Sequence, residues 1–134
     1  MVNNTSFPRY GDIFSADLGS DVGIRPAIVI SNNRGNQYSP NVTVVPLTKQ
    51  LKHIYQPTHT VLQAEPNHLL HDSMTLSESI LTIPKTSLRC FIHHLDDEAM
   101  QRVSETALLA TGALAHISYD TLMALVEAAQ KLDS

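Results

Sequence analysis

The chain has 134 residues, 43% of them hydrophobic and 16% charged, with a formal net charge of −4. At about 150 residues per domain this is one unit with a modest core, and the acidic balance speaks against a generic nucleic-acid binder. The single cysteine, Cys90, rules out an internal disulfide, and no apolar run approaches the roughly 20 residues of a membrane span.

The opening stretch, "MVNNTSFPRYGD", has no charged region followed by an apolar core. No secretory leader is expected, and with one cysteine a reducing cytoplasm is the expected compartment. Residues 10–18, "YGDIFSADL", read as a first strand, and a short loop, "GSDVG", follows. Residues 25–31 give a second strand whose run Ala27, Ile28, Val29, Ile30 predicts burial on both faces. Arg25 stands at its mouth, next to Pro26, where a guanidinium is costly to desolvate without a partner. "NNRGNQYSP" is dense in turn formers and predicts a loop. Residues 41–49, "NVTVVPLTK", are β-branched and predict a third strand, with Pro46 marking an edge or a bulge.

A second loop, "QLKHIYQP", precedes a fourth strand over 58–64, and "PNHLLHD" is consistent with one helical turn. Residues 73–79 and 88–95 predict two later strands. Strands at close spacing without long helices between them suggest a small antiparallel sheet or barrel. The end changes character. Residues 95–117 read as a helix with Asp96 as N-cap, Asp97 and Glu98 in its first turn, and a staple between Leu95 and Met100. Met100, Val103, Ala107, Ala110 and Leu114 form its apolar face. A second helical stretch from about Ser118 repeats Leu122, Leu125, Val126, Ala129 and Leu132, a stripe that needs cover from its own sheet or from another chain.

Charge is unevenly spread. Residues 1–60 carry five basic side chains (Arg9, Arg25, Arg34, Lys49, Lys52) against three acids, whereas 61–134 carry four against ten. A local anionic-ligand site on an acidic protein is therefore permitted, beside the plainer reading of ordinary solvated charges. Cys90, His93 and His94 do not converge as metal ligands in a strand, because His93 points away from the other two. His68, His71 and Asp72 lack a second cluster, no phosphate-binding glycine loop exists, and nothing positions Cys90 as a nucleophile beside a histidine. No metal or cofactor is expected. The more informative set lies at strand ends: Arg25, Thr48 and Glu78. Guanidinium suits phosphate, a threonine hydroxyl donates to a phosphoryl oxygen, and a carboxylate accepts a proton. The plain alternative is that Arg25 pairs with Asp21 or Glu78 and that Thr48 merely ends a strand.

The segments "RYGDIFSADL", "GIRPAIVISN", "GNQYSPNVTVVPLT", "PTHTVLQAE", "DSMTLSESILTI" and "HLDDEAM" run in one order from residue 9 to about 117. In that order they resemble the MazF/PemK family of toxins from type II toxin–antitoxin systems. The resemblance implies a mainly β (α+β) fold: a small SH3-like antiparallel barrel of the PemK/CcdB type over 1–117, with 118–134 as a C-terminal helical extension. It implies a homodimer, a cognate antitoxin as protein partner, and metal-independent cleavage of single-stranded RNA at short sequences. The arginine of the family's "RP" motif falls on Arg25, the threonine closing the third-strand motif on Thr48, and an acid that some members use on Glu78. Asn36, Tyr38, Lys49, His59 and Ser73 lie in the surrounding segments and are implied RNA contacts. The chain departs from the family in its short "GSDVG" loop, in Ser79 where many members carry Gln, and in residues 118–134.

Three activities compete for this framework. The first is the ribonuclease. The second is a non-catalytic binding module on the same barrel, motivated by the short loop and by Ser79. The third is a gyrase poison of the CcdB type, which is disfavoured because this chain ends "QKLDS" and contains no Trp.

Overall fold

The structure is a computed structural model that describes residues 7–133. Residues 1–6, on which half of the leader expectation rests, and Ser134 lie outside the described residues. Seven strands follow the order β1 (Asp12–Asp17), β2 (Ile24–Val29), β3 (Asn41–Thr48), β4 (Val61–Leu62), β5 (Ser73–Thr75), β6 (Leu81–Pro84) and β7 (Leu88–His94). They form one curled antiparallel sheet in the spatial order β4-β5-β3-β2-β1-β7, with β6 also paired to β3. The expected small antiparallel barrel with C-terminal helices is thus met as a half-barrel.

β3 organises the sheet. One of its edges pairs with β2, through Ala27 opposite Pro46 and Val29 opposite Val44. Its other edge pairs first with β6, from Asn41 to Val44, and then with β5, at Leu47 and Thr48. Pro46 falls in the gap between those two partners, where its missing N–H interrupts no ladder there, and its carbonyl accepts from Leu76 N–H at 2.8 Å. The proline therefore marks the corner at which the sheet bends rather than an edge.

Alternation along the strands divides the core in two. Ile13, Ile28, Val45 and Leu47 point to one face, where Leu95, Ala99 and Val103 close over them. Phe14, Ala16, Ala27, Val29, Val42 and Val44 point to the other, closed by Ile83 and flanked by Leu88 and Phe91. The Phe14 and Phe91 rings meet edge to face, with centroids 5.7 Å apart. An apolar run with no polar gap, as in β2, is what burial on both faces requires.

Helix α1 (Asn33–Tyr38) occupies the predicted loop, because the Asn32 side chain accepts from Gly35 N–H at 2.8 Å and caps it. Helix α2 (Asp97–Ala110) begins as expected, with Asp96 accepting from Ala99 N–H at 2.8 Å. It stops seven residues before the predicted end. Gly112 adopts φ +72, the left-handed conformation that closes a helix, and a 3-10 turn over Ala113–His116 follows. Helix α3 (Leu122–Asp133) starts after a 3-10 turn capped by Ser118, and none of its residues is buried. Two strand expectations shrink. The one over 58–64 keeps only Val61–Leu62, because Thr60 N–H donates to the Thr75 hydroxyl instead of to a strand carbonyl. The one over 73–79 ends at Thr75 and turns into a 3-10 turn at Ser77–Ser79. β6 is a strand that the sequence pattern did not single out.

Candidate active site

β2 places Arg25 opposite Ala16 of β1, one residue inside the hairpin. The hairpin loop closes on itself through Leu18 N–H to Gly23 O at 3.0 Å and Gly23 N–H to Gly19 O at 2.7 Å. It gives Arg25 a rigid base and no carboxylate partner. The three ion pairs among described residues are His59–Glu78, Arg89–Asp17 and His94–Asp12, so the pairing of Arg25 with Asp21 or Glu78 does not occur.

Thr48 is the last residue of β3 and stands opposite Met74 of β5. Its Oγ1 accepts from Gln50 N–H at 3.1 Å, which leaves the hydroxyl proton available to a ligand. Arg25 and Thr48 line the same cleft of about 580 Å³. Lys49, Gln50, His68, His71, Ser73 and Ser15 supply the rest of its polar wall, while Ile24, Pro26, Leu47, Leu69, Leu70 and Ile92 supply the apolar part. Among the described residues no carboxylate lines it, so Arg25, Lys49 and two imidazoles face an open space on a protein that is acidic overall. Such a space concentrates anions.

The other predicted residues divide. Ser73 lines the cleft, but its hydroxyl donates to His71 O at 2.8 Å and holds the adjoining loop. Lys49 is exposed on the rim. Glu78 is not on the cleft wall; both of its carboxylate oxygens lie 3.0–3.1 Å from Nε2 of His59. His59 Nδ1 donates to His53 O at 2.9 Å. That carbonyl first, and Glu78 after it, hold the imidazole protonated to higher pH than usual, against the effect of burial. The pair ties the long segment after β3 to the turn after β5. Asn36 is 0% exposed. Its amide donates to Ser31 O at 2.9 Å and its carbonyl accepts from the Ser31 hydroxyl, so it anchors α1 to the end of β2. Tyr38 is exposed at the end of α1, with the Arg34 guanidinium 5.9 Å from its ring centre, and it does not line the cleft.

The structure adds His68 and His71, which sequence reasoning weighed only as metal ligands. Among the described residues no cluster of histidines, cysteines and acids has the geometry to hold a metal ion. The His68 ring packs against His93 of β7, with centroids 4.5 Å apart. Burial first, and then the neighbouring imidazoles of His68 and His94, push His93 below the ordinary histidine range. The available signal was the placement of two imidazoles in one short loop before a strand. It was not decisive, because nothing local shows which wall that loop forms.

A family model described as PemK-like, MazF-like toxin of type II toxin–antitoxin system matches residues 9–110. Endoribonuclease EndoA of Bacillus subtilis (strain 168) is 41% identical over 102 residues, which is 72% of this chain and 88% of that protein. Among solved structures, Mycobacterium tuberculosis toxin MazF-mt6 superposes with a TM-score of 0.66 at 25% identity, over 75% of this chain and 95% of that one. A mycobacterial endoribonuclease in complex with its cognate antitoxin gives 0.69 at 24% identity, over 78% and 95%. A MazE–MazF structure from Deinococcus radiodurans gives 0.63 at 19% identity, over 85% and 100%, and these last two similarities speak to the fold alone.

Proposed function

The chain belongs to the family of PemK-like, MazF-like toxins of type II toxin–antitoxin systems, and we propose that it is the endoribonuclease of such a pair, cutting single-stranded RNA at short sequences without a metal ion. The observation that carries this reading is the unpaired guanidinium of Arg25 on the wall of a carboxylate-free cleft that it shares with Thr48. The names of the relatives, an endoribonuclease and a MazF toxin, point the same way.

RNA brings its own nucleophile. Attack of the 2′-hydroxyl on the adjacent phosphorus passes through a five-coordinate state with extra negative charge on its oxygens. Arg25 and the Thr48 hydroxyl stabilise charge that develops only then, and this lowers the barrier rather than merely tightening binding. A guanidinium stays protonated at any working pH, so Arg25 acts as an electrostatic group and not as the base. The P–O5′ bond breaks, leaving a 2′,3′-cyclic phosphate and a 5′-hydroxyl. Lys49 and Gln50, on the same rim, are proposed to hold flanking phosphates and base edges.

The partners follow from the same reading. A small antitoxin protein is the proposed partner and blocks the cleft; solved structures of the same fold include an endoribonuclease in complex with its cognate antitoxin. A homodimer and a cytoplasmic location complete the proposal; no helix among the described residues is long and apolar enough to cross a membrane.

The test is incubation of the purified protein with mixed-sequence RNA in the presence of chelator, followed by primer extension and end-group analysis. Defined cuts with 5′-hydroxyl ends support the reading, and Arg25→Ala loses on the order of 10²–10³ in rate, by analogy with removal of one oxyanion donor. RNA that is bound but stays intact would overturn the reading in favour of a non-catalytic module.

A further inference from the structure

Cleavage by 2′-hydroxyl attack needs a proton acceptor, and neither Arg25 nor Thr48 is one. Glu78, the acid that the family pattern offers, is engaged with His59 and lies off the cleft wall. The side chains on that wall with a ring nitrogen that can accept a proton are His68 and His71.

The backbone distinguishes the two. The segment after β4 makes hydrogen-bonded turns from Asn67 N–H to Ala64 O and from His68 N–H to Glu65 O, and then closes with Leu69 N–H to Ala64 O at 2.9 Å. Its base is tied by Ala64 N–H to the Asp72 carboxylate at 2.8 Å. The six-residue closure is the bond of a Schellman cap, with Leu69 packed on the core as the accompanying apolar contact. In that motif the residue before the closing N–H is left-handed, and glycine is the usual occupant. Here the position is held by His68, at φ +58. Histidine accepts this conformation more readily than most residues, as His53 does at φ +55 off the cleft wall, but at a steric cost that glycine avoids. The ring is also fixed from outside, by its stack on His93 at an inclination of 31°. Both side chains are exposed, but His71 has no comparable support: its backbone carbonyl takes the Ser73 hydroxyl, and among the described residues no ring stacks on it.

Resting on the ribonuclease reading above, we infer that His68 is the proton acceptor of the reaction, a glycine position given to histidine so that an immobilised imidazole faces the phosphate held by Arg25 and Thr48. Its ring nitrogen takes the proton of the 2′-hydroxyl as the 2′-O–P bond forms and the P–O5′ bond breaks. The departing 5′-oxygen takes a proton from water, and the imidazolium returns its own to solvent, so the protein ends unchanged. Of the charged and titratable groups around it, His93 from β7 stacks on the ring, Arg25 from β2, Lys49 after β3 and His71 on its own loop line the same cleft, and His94 and Asp96 act on His93.

The test is the pH–rate profile of RNA cleavage for the unaltered protein and for His68→Gly, His68→Asn and Arg25→Ala. Glycine and asparagine both tolerate the left-handed backbone, so these variants retain the fold, checked by urea unfolding. The unaltered protein is expected to cut faster as pH rises through the range where imidazoles titrate, and then to level off. Both His68 variants lose on the order of 10²–10⁴ in rate and lose that rise, and added imidazole restores part of the His68→Gly rate. Arg25→Ala is slower but keeps the rise. A His68→Gly protein that cuts at the original rate with the original profile overturns the assignment, as does loss of the rise in His71→Gln alone. If the unaltered protein leaves RNA intact, the ribonuclease reading itself fails; if it cuts and the His68 variants cut equally well, only the role of His68 fails.

Discussion

Three side chains in this protein do work that their residue types do not announce. Arg25 is charged and unpaired where a structural arginine would have a carboxylate, Asn36 is polar and fully buried, and His59 is a latch. The His59 ring is 6% exposed and spans from the His53 carbonyl to Glu78. Its pKa is raised in the folded state, so folding favours the protonated form. The stability this supplies is present in full below the imidazole's ordinary value of about 6.5 and is lost as pH rises through the raised folded value. Urea midpoints of the unaltered protein and of His59→Gln should differ most near pH 6 and converge toward pH 9; a difference that does not vary with pH would show that the latch does not depend on protonation. Gly11 supplies a second prediction of this kind. It holds φ +90, and a Cβ there would lie 2.4 Å from Cε of Met100. The methionine tip can move, whereas the backbone preference remains, so Gly11→Ala should destabilise by about 1–2 kcal/mol in urea unfolding.

Helix α2 and the strands beneath it show how local rules and long-range packing share the work. The N-terminus of α2 was legible from Asp96, Asp97 and Glu98, because capping and dipole effects act within one turn. Asp96→Ala should cost about 1 kcal/mol, read as a lower urea midpoint with unchanged slope. The C-terminus was legible too, in Gly112, but a continuing run of Ala and Leu favoured helix beyond it, and the left-handed stop took precedence. Burial settled the face. Val103 and Ala107 are buried as the apolar pattern suggested, but Ala99 and Thr106 join them in place of Met100 and Ala110. Thr106 belongs there because its hydroxyl donates to Val103 O at 2.9 Å and accepts from Thr60. In the sheet, Ile28 is fully buried among Ile13, Val45 and Leu47. Its truncation to alanine should cost about 2–5 kcal/mol, the range for emptying a core that cannot collapse.

The assembled molecule puts every lining residue of the cleft before residue 93 and leaves α3 unburied, with Met123, Leu125, Val126 and Leu132 exposed by 40–67%. Removal of residues 118–134 should therefore leave a folded protein with the same cleavage sites, checked by circular dichroism and primer extension. Loss of folding would show that α3 is part of the core. The order of motifs along residues 9–117 was enough to expect a PemK/MazF-like sheet, because alternation and turn chemistry are written within a few residues of each strand. The bend at Pro46 was not, since it follows from β3 exchanging β6 for β5, two partners whose paired residues lie 26 to 43 positions away in the chain.

Arg25 at a strand mouth, Thr48 at a strand end, the cap at Asp96 and the family itself could all be read from the chain alone, since each depends on neighbours within about a turn or on a linear order of motifs. Which groups meet could not. That Glu78 turns to His59, that Asn36 goes inward, and that His68 faces the cleft in a glycine's conformation depend on the register of distant strands and on the closure of loops between them. Those are set by many weak contacts acting together, and no short stretch of sequence contains them.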